Sequence, residues 1–288
     1  MTRKPPDGQG NRWSDLDRPP LNADSLRRAL VRPGSMFTSL DVLDEVGSTN
    51  TELVERVRAG DAGAGAVLVA EEQTAGRGRL ERSWTAPPRS GLFFSMALEP
   101  VAPVERWGWL PLLTGVATAT ALARAAGLDT SLKWPNDLLA DVDGSERKIG
   151  GILAERAGER AVVVGIGLNV SLRADELPAP GAGSLALAGA QGTDRDPLLR
   201  AVLRSLEEWY GRWNGADGDP GASGVQEAYA AGCATLGRSV RAELPGGGDV
   251  TGEAVAVDGD GRLVLATSAG MQRPIGAGDI VHLRGADD

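Results

Sequence analysis

The sequence predicts an α+β fold, a mixed sheet with helices packed on it, followed by a small C-terminal β unit. Three observations predict it. Apolar runs of strand length, such as GAVLVAEEQ (65–73) and RAVVVGIGLNVSL (160–172), are bounded by glycine or polar residues. Between them lies WGWLPLLTGVATATALARAAG (107–127), rich in alanine and leucine, too long for a strand and stopped by Gly127. After NGADGDPGASG (Asn214 to Gly224) the pattern changes to short strands broken by PGGGD and DGDG turns, the texture of a small barrel or sandwich.

In chain order, the polar, proline-rich start lacks the apolar centre of a signal peptide, and residues 1–37 read as a disordered or loosely ordered tail, with a short helix in NADSLRRAL (22–30). SLDVLDEVG reads as a strand ending at Gly47. STNTELVERVRAG then starts a helix with Ser48 or Thr49 as N-cap and Gly60 as the stop. GLFFSMALEP has strand composition, and TSLKWPNDLLAD reads as a strand running into a Pro-Asn-Asp turn. RKIGGILAER and RAVVVGIGLNVSL read as neighbouring strands joined through Gly158 and Glu159, and Pro197 to Trp213 as an amphipathic helix. The main body is expected over 38–228 and the β unit over 229–288.

Composition removes several function classes. With 288 residues and 42% hydrophobic content the chain can build a substantial core. Its formal net charge of -9 repels phosphate backbones, so no nucleic-acid partner is expected. Cys233 is the single cysteine and His282 the single histidine, which rules out an intramolecular disulfide, thiolate clusters and histidine-pair zinc sites. No apolar run spans a bilayer, so a cytoplasmic protein without a membrane partner is expected.

Against that acidic background AEEQTAGRGRLERSW (70–84) gathers Arg77, Arg79 and Arg82 around Gly76 and Gly78 and closes on Trp84. Glycine lets backbone N–H groups approach an anion, arginines fork onto phosphate or carboxylate oxygens, and the indole offers a flat face. By itself the loop is equally well a solvated basic loop with Trp84 in the core. In KWPND (Lys133 to Asp137), Asn136 and Asp137 follow a rigid turn, and Asp137 has the oxygen chemistry for Mg²⁺, although a plain Asx turn is the commoner use. In RKIGGILAE, Lys148 precedes a Gly-Gly pair in an apolar strand, where Gly151 suggests close approach by a ligand or another backbone; an edge lysine is the alternative. GSTN (Gly47 to Asn50) places Ser48, Thr49 and Asn50 at a strand-to-helix junction, as ligand contacts or as ordinary caps. GIGLNV departs from a dinucleotide fingerprint because Val170 stands where the last glycine belongs; Asn169 there either reads a base edge or ends a strand.

Taken in order, GSTN, EEQTAGRGRLERSW, KWPND, KIGGIL and GIGLNV resemble the biotin protein ligase family over about residues 38 to 285. The resemblance implies a class II synthetase-like biotin/lipoate ligase catalytic domain with a C-terminal SH3-like β-barrel. It implies ATP and Mg²⁺ used to activate biotin as biotinyl-5′-AMP, and transfer of biotin to a lysine of a biotin carboxyl carrier domain of an acyl-CoA carboxylase. By the same resemblance Ser48, Thr49, Asn50 and Gln73 bind the biotin head group, and Gly76, Arg77, Gly78, Arg79, Lys148 and Gly151 complete the biotin site. Arg79, Arg82, Trp84, Asn136, Lys148 and Asn169 face ATP. Lys148, Arg79 and Asp137 carry the chemistry, with Asp137 also the metal candidate, and the loop is a lid. A monomer or weak homodimer is expected. The roughly 38 residues before the core hold at most one short helix, and a helix-turn-helix needs two, so no repressor role is expected. Lipoate ligation is the rival enzyme, and biotin sensing without catalysis the rival class.

Overall fold

The computed structural model describes residues 17–80 and 82–283. Its centre is a seven-stranded sheet of order β1-β2-β3-β7-β6-β5-β4. The strands are β1 (Ser39–Leu43), β2 (Ala66–Ala70), β3 (Gly91–Leu98), β4 (Ser131–Lys133), β5 (Asp137–Val142), β6 (Ser145–Arg156) and β7 (Val162–Asn169). Only β1 and β2 run parallel; the other pairs are antiparallel, so the sheet is mixed as the sequence predicts.

Alternation decides the two faces. On β3, Leu92, Phe94, Met96 and Leu98 enter the main core, as do Val162, Val164, Ile166 and Leu168 on β7. Helices α3 (Trp109–Ala126) and α4 (Arg195–Gly215) cover that face. The opposite face meets α2 (Thr49–Ala59), whose Leu53 and Val54 pack on Leu68, Ala97 and Val163 in a second, smaller cluster. Elsewhere on that face Gly151, Gly165 and Gly167 stand with Ser95, Leu153 and Glu155. At the three glycines side chains give way to hydrogen, and the sheet surface lies open.

Several boundaries differ from the sequence reading. The Ser39 strand ends at Leu43, but pairing resumes beyond it: Val46 N–H donates to Glu72 O, and Val46 bridges Gln73. TSLKWPNDLLAD is a hairpin of two strands, turning at Trp134–Asn136 around a cis Trp134–Pro135 bond. The tail expected over 1–37 is ordered over its second half. Helix α1 (Ala23–Leu30), capped by Asn22, buries Leu26 and Leu30, while Leu21 and Phe37 also reach the core. Its tether is a buried ion pair that sequence spacing does not reveal: Arg195 meets Glu71 at 2.6 Å, Glu71 accepts from Leu21 N–H, and Arg195 donates to Pro19 O. The start of that tail, residues 1–16, lies outside the described residues.

After α5 (Val225–Gly232) come β8 (Ser239–Glu243), β9 (Asp249–Val257), β10 (Leu263–Ala266), β11 (Gln272–Ile275) and β12 (Asp279–His282). They form an antiparallel sheet of order β11-β10-β9-β8-β12. The expected barrel is therefore an SH3-like sheet, with no pair closing a ring among the described residues. The indole N–H of Trp109 donates to Asp258 O and Gly259 O, and that of Trp134 to Gly261 O, so two core tryptophans grip one turn of this unit. No helix among the described residues is long and apolar enough to cross a membrane.

Candidate active site

The open glycine face becomes a cavity of about 320 Å³, walled by the start of α2, the arginine loop, the 133–137 turn, β6, β7 and the start of β12. Ser48, Thr49, Asn50, Gln73, Arg77, Gly78, Arg79, Arg82, Trp84, Asn136, Asp137, Lys148 and Gly151 all line it. Five separate sequence stretches thus converge on one space.

The helix start forms the polar end. Ser48 caps α2, its hydroxyl accepting from Thr51 N–H, so its own proton is left to point at a ligand. Asn50 is 4% exposed, and its amide donates to Leu153 O at 3.1 Å and to Glu155 at 2.9 Å. Its oxygen therefore accepts, and Ser95 Oγ, 2.6 Å away, must donate to it. Ser95 has one proton, so the Thr49 hydroxyl is the donor of its own contacts, its proton lying between Ser95 Oγ at 2.8 Å and Gln73 Oε1 at 3.2 Å. Thr49 is left with lone pairs, while Gln73 Oε1 takes the Thr49 N–H at 2.8 Å. This end thus offers a hydroxyl donor in Ser48 beside a hydroxyl acceptor in Thr49. That polarity matches a cyclic urea, which needs a donor for its oxygen and acceptors for its N–H groups.

The arginine loop is a small hairpin. Gly76 O accepts from Trp84 N–H, Gly78 N–H donates to Arg82 O, and Leu80 turns the chain at φ 53°. Gly76 does not line the cavity; its place is steric, because a Cβ there would lie 2.4 Å from Trp84 O. Arg77 pairs with Glu155 at 3.0 Å. Arg79 donates to Asn136 Oδ1 and to Gly278 O, and Arg82 pairs with Asp279 at the head of β12. Burial lowers the Arg79 pKa, with Asp137 opposing, and a guanidinium stays charged through such a shift. Trp84 lies against the glycine floor: a Cβ on Gly167 would come within 2.9 Å of its ring, and one on Gly151 within 3.1 Å. Lys148 Nζ stands 5.6 Å from the indole centroid and 2.5 Å from Asp137 Oδ1.

Asn169 sits apart from this cavity. It lines a neighbouring one of about 840 Å³, shared with Trp84, Lys133, Asp137, Lys148 and His282. Its amide donates to Gly183 O, and its oxygen is buried with no hydrogen-bond partner. That acceptor fits an amino group such as the exocyclic amine of a purine.

Sequence reasoning missed Lys133, Ser95, Glu155, Gly165, Gly167 and Asp279. The glycines had a signal, since they alternate with Val164, Ile166 and Leu168. Lys133 lay inside a quoted motif; burial and the neighbouring Lys148 and Arg238 lower its pKa, opposed by Asp137 and Glu146. Asp279 had no local signal, because only the packing of the second unit brings it to Arg82.

No cluster of three or more metal-ligating side chains occurs among the described residues. Asp137, 23% exposed and 2.5 Å from Lys148 Nζ, has the oxygen chemistry to contribute to holding a divalent cation.

A family model described as the biotin/lipoate A/B protein ligase family matches residues 42–171, and one for the biotin protein ligase C-terminal domain matches 235–283. The chain is 42% identical to the biotin--[acetyl-CoA-carboxylase] ligase of Mycobacterium tuberculosis, covering 94% of this chain and 98% of that protein. It is 33% identical to the bifunctional ligase/repressor BirA of Bacillus subtilis over 81% of this chain and 70% of that protein. Among solved structures, the Aquifex aeolicus biotin protein ligase in complex with biotin and ATP superposes with a TM-score of 0.68 at 29% identity, covering 86% of this chain and 100% of that one. The fold and the matched family model place the chain in the class of α+β biotin/lipoate ligases. Within it, the chain belongs to the biotin protein ligase family.

Proposed function

We propose that this chain is an ATP-dependent biotin protein ligase. It joins biotin to ATP as biotinyl-5′-AMP and then moves the biotinyl group to one lysine of a carrier domain of an acyl-CoA carboxylase. The observation that carries the reading is the convergence of Arg77, Arg79, Lys133 and Lys148 on a glycine-floored cavity with a urea-matched polar end.

In the first step a biotin carboxylate oxygen bonds to the α-phosphorus, and the bond from that phosphorus to the leaving pyrophosphate breaks. Both reactants are anions, so the barrier falls by alignment and by fixed positive charge rather than by a protein nucleophile. Ser48, Thr49 and Gln73 orient the ureido ring, and Asn50 holds them in register. Arg77, Arg79 and Lys148 take the carboxylate and α-phosphate oxygens, with Gly78 and Gly151 leaving room. Asn136 holds Arg79, and Arg82 steadies the loop. Trp84 and Asn169 receive the adenine. Asp137 would help hold a magnesium ion, which would supply positive charge to the phosphate oxygens. In the second step the carrier amine bonds to the acyl carbon and AMP leaves. Asp137, one oxygen already held by Lys148, is the group placed to take the amine proton with the other. A net charge of -9 supports a ligase without nucleic-acid binding, and the single buried Cys233 is consistent with a cytoplasmic setting.

The test is mass spectrometry of a carrier domain incubated with the protein, biotin, ATP and Mg²⁺, beside biotin-dependent pyrophosphate exchange. One biotin on one lysine is expected. Lys148→Ala should lose about 100-fold or more in exchange at an unchanged unfolding temperature. Exchange with lipoate but not biotin, or near-normal exchange in Lys148→Ala, would refute the assignment.

A further inference from the structure

Glu155 closes the stretch RKIGGILAE, where the sequence assigns it no role, yet it stands between the two halves of the site. It is the third residue of the Gly151, Leu153, Glu155 series that β6 turns toward the site face. Its side chain is 24% exposed. Its Oε2 accepts from the Asn50 amide at 2.9 Å and from Arg77 Nη1 at 3.4 Å, and its Oε1 lies 3.0 Å from the same Arg77 nitrogen. Arg77 also donates to Thr51 Oγ1, one residue beyond Asn50 on the same helix turn.

The Asn50 side chain has no spare hydrogen-bonding capacity to lose cheaply. Its two amide protons go to Leu153 O and Glu155, and its oxygen takes the Ser95 proton. That oxygen fixes the direction of the Ser95–Thr49 hydroxyl chain. Removing the Glu155 acceptor therefore frees the Asn50 amide to rotate, and the donor–acceptor order of the polar end goes with it. The same carboxylate parks a loop arginine at the mouth of the cavity. An anion that arrives at Arg77 competes with Glu155 for the same guanidinium.

We propose that Glu155 is a positioning residue that yokes the arginine loop to the polar end of the pocket. Oε2 sets Asn50, and the charge of the whole carboxylate holds Arg77 within reach of an acyl or phosphoryl oxygen. The inference rests on the ligase reading for the identity of the ligand, but not for the mechanical link between loop and pocket.

Two substitutions separate the two roles, acceptor and charge. Glu155→Gln keeps an acceptor for Asn50 and removes the charge that holds Arg77. Glu155→Ala removes both. The full-length protein without added substrates is treated with trypsin, which cuts after Arg77, Arg79 or Arg82 only when the loop opens. The KM for biotin and the KM for ATP are measured on the same preparations. For Glu155→Gln, loop cleavage should quicken by about 1.5- to 5-fold, the range for a part-exposed ion pair, with the biotin KM within about twofold of wild type. For Glu155→Ala, cleavage should quicken equally and the biotin KM should rise about tenfold or more, the ATP KM moving less. Equal biotin KM values in the two variants, or unchanged cleavage in both, would overturn the proposal. If Glu155→Ala does not fold, unchanged loop cleavage in Glu155→Gln alone overturns it. Failure of the ligase reading would look different: the wild-type protein would not use biotin, while the cleavage contrast would remain.

Discussion

Gly165→Ala is the substitution most directly determined by the geometry. The backbone of Gly165 is ordinary β-strand, so alanine brings no conformational strain of its own. Its Cβ would lie 2.0 Å from Asn50 Oδ1, 2.8 Å from Asn50 Cγ and 3.1 Å from Ser95 Oγ. Ordinary contact begins at 3.4 Å, so the carboxamide oxygen must retreat by about 1.4 Å. That breaks its 2.6 Å bond to Ser95, whose hydroxyl is fully buried. One or two buried polar groups then lose a partner, at about 1–3 kcal/mol each. A total near 3 kcal/mol lowers the thermal midpoint of a protein this size by roughly 6–12 °C. Calorimetry reads the midpoint, and titration with biotin reads the pocket, where affinity should fall at least about tenfold. The reasoning also fixes a cycle: in an Asn50→Ala background the clash has nothing to strike, so Gly165→Ala should cost less than about 1 kcal/mol there. A Gly165→Ala protein with wild-type midpoint and affinity, or a full cost persisting in the Asn50→Ala background, would refute the argument.

Two further expectations come from charges outside the cavity. Arg195→Ala strands Glu71 in a pair whose side chains are each 5% exposed, and should lower urea-unfolding stability by about 3–5 kcal/mol, with faster proteolysis near Pro19; replacing both partners by apolar residues should recover most of the loss. His282 is held down to about 4 by burial, with Lys133 and Arg238 adding to it and Glu146 opposing. Its folded pKa lies below the unfolded value of about 6.5, so stability is full above pH 6.5, falls as the unfolded chain takes up the proton, and levels off below about 4. The loss is on the order of 1–3 kcal/mol after screening, and Ser, Asn or Gln at position 282 should flatten that part of the pH–stability curve.

The strands, the helix caps and the shared destination of the motifs were legible because each rests on local chemistry. Ser48 and Gly60 announce the ends of α2 by type, and the apolar alternation of β7 survives its glycines. What was not legible depends on distant pairs. Asp279 meets Arg82 across almost 200 positions of chain (the separation is 197), and Glu71 meets Arg195 across 124. The ordered half of the N-terminal segment was misread for that reason: its Leu26 and Leu30 look like a weak helix until the Glu71–Arg195 pair supplies the anchor for Leu21 and Pro19. Asn50 was legible as a candidate site residue, but its engagement by Ser95, Leu153 and Glu155 depends on strands far away in the chain.

The glycine floor also sets the direction in which this site can change. Gly151, Gly165 and Gly167 already carry the smallest side chain there is, so substitution at these three positions can only shrink the cavity. An engineer seeking to admit a bulkier biotin analogue has to find the room in the lid, at Trp84, or at the roof on α2. Both routes trade against something else, adenine recognition in the first case and the hydroxyl chain in the second. Acyl specificity in such a pocket is easier to tighten than to relax.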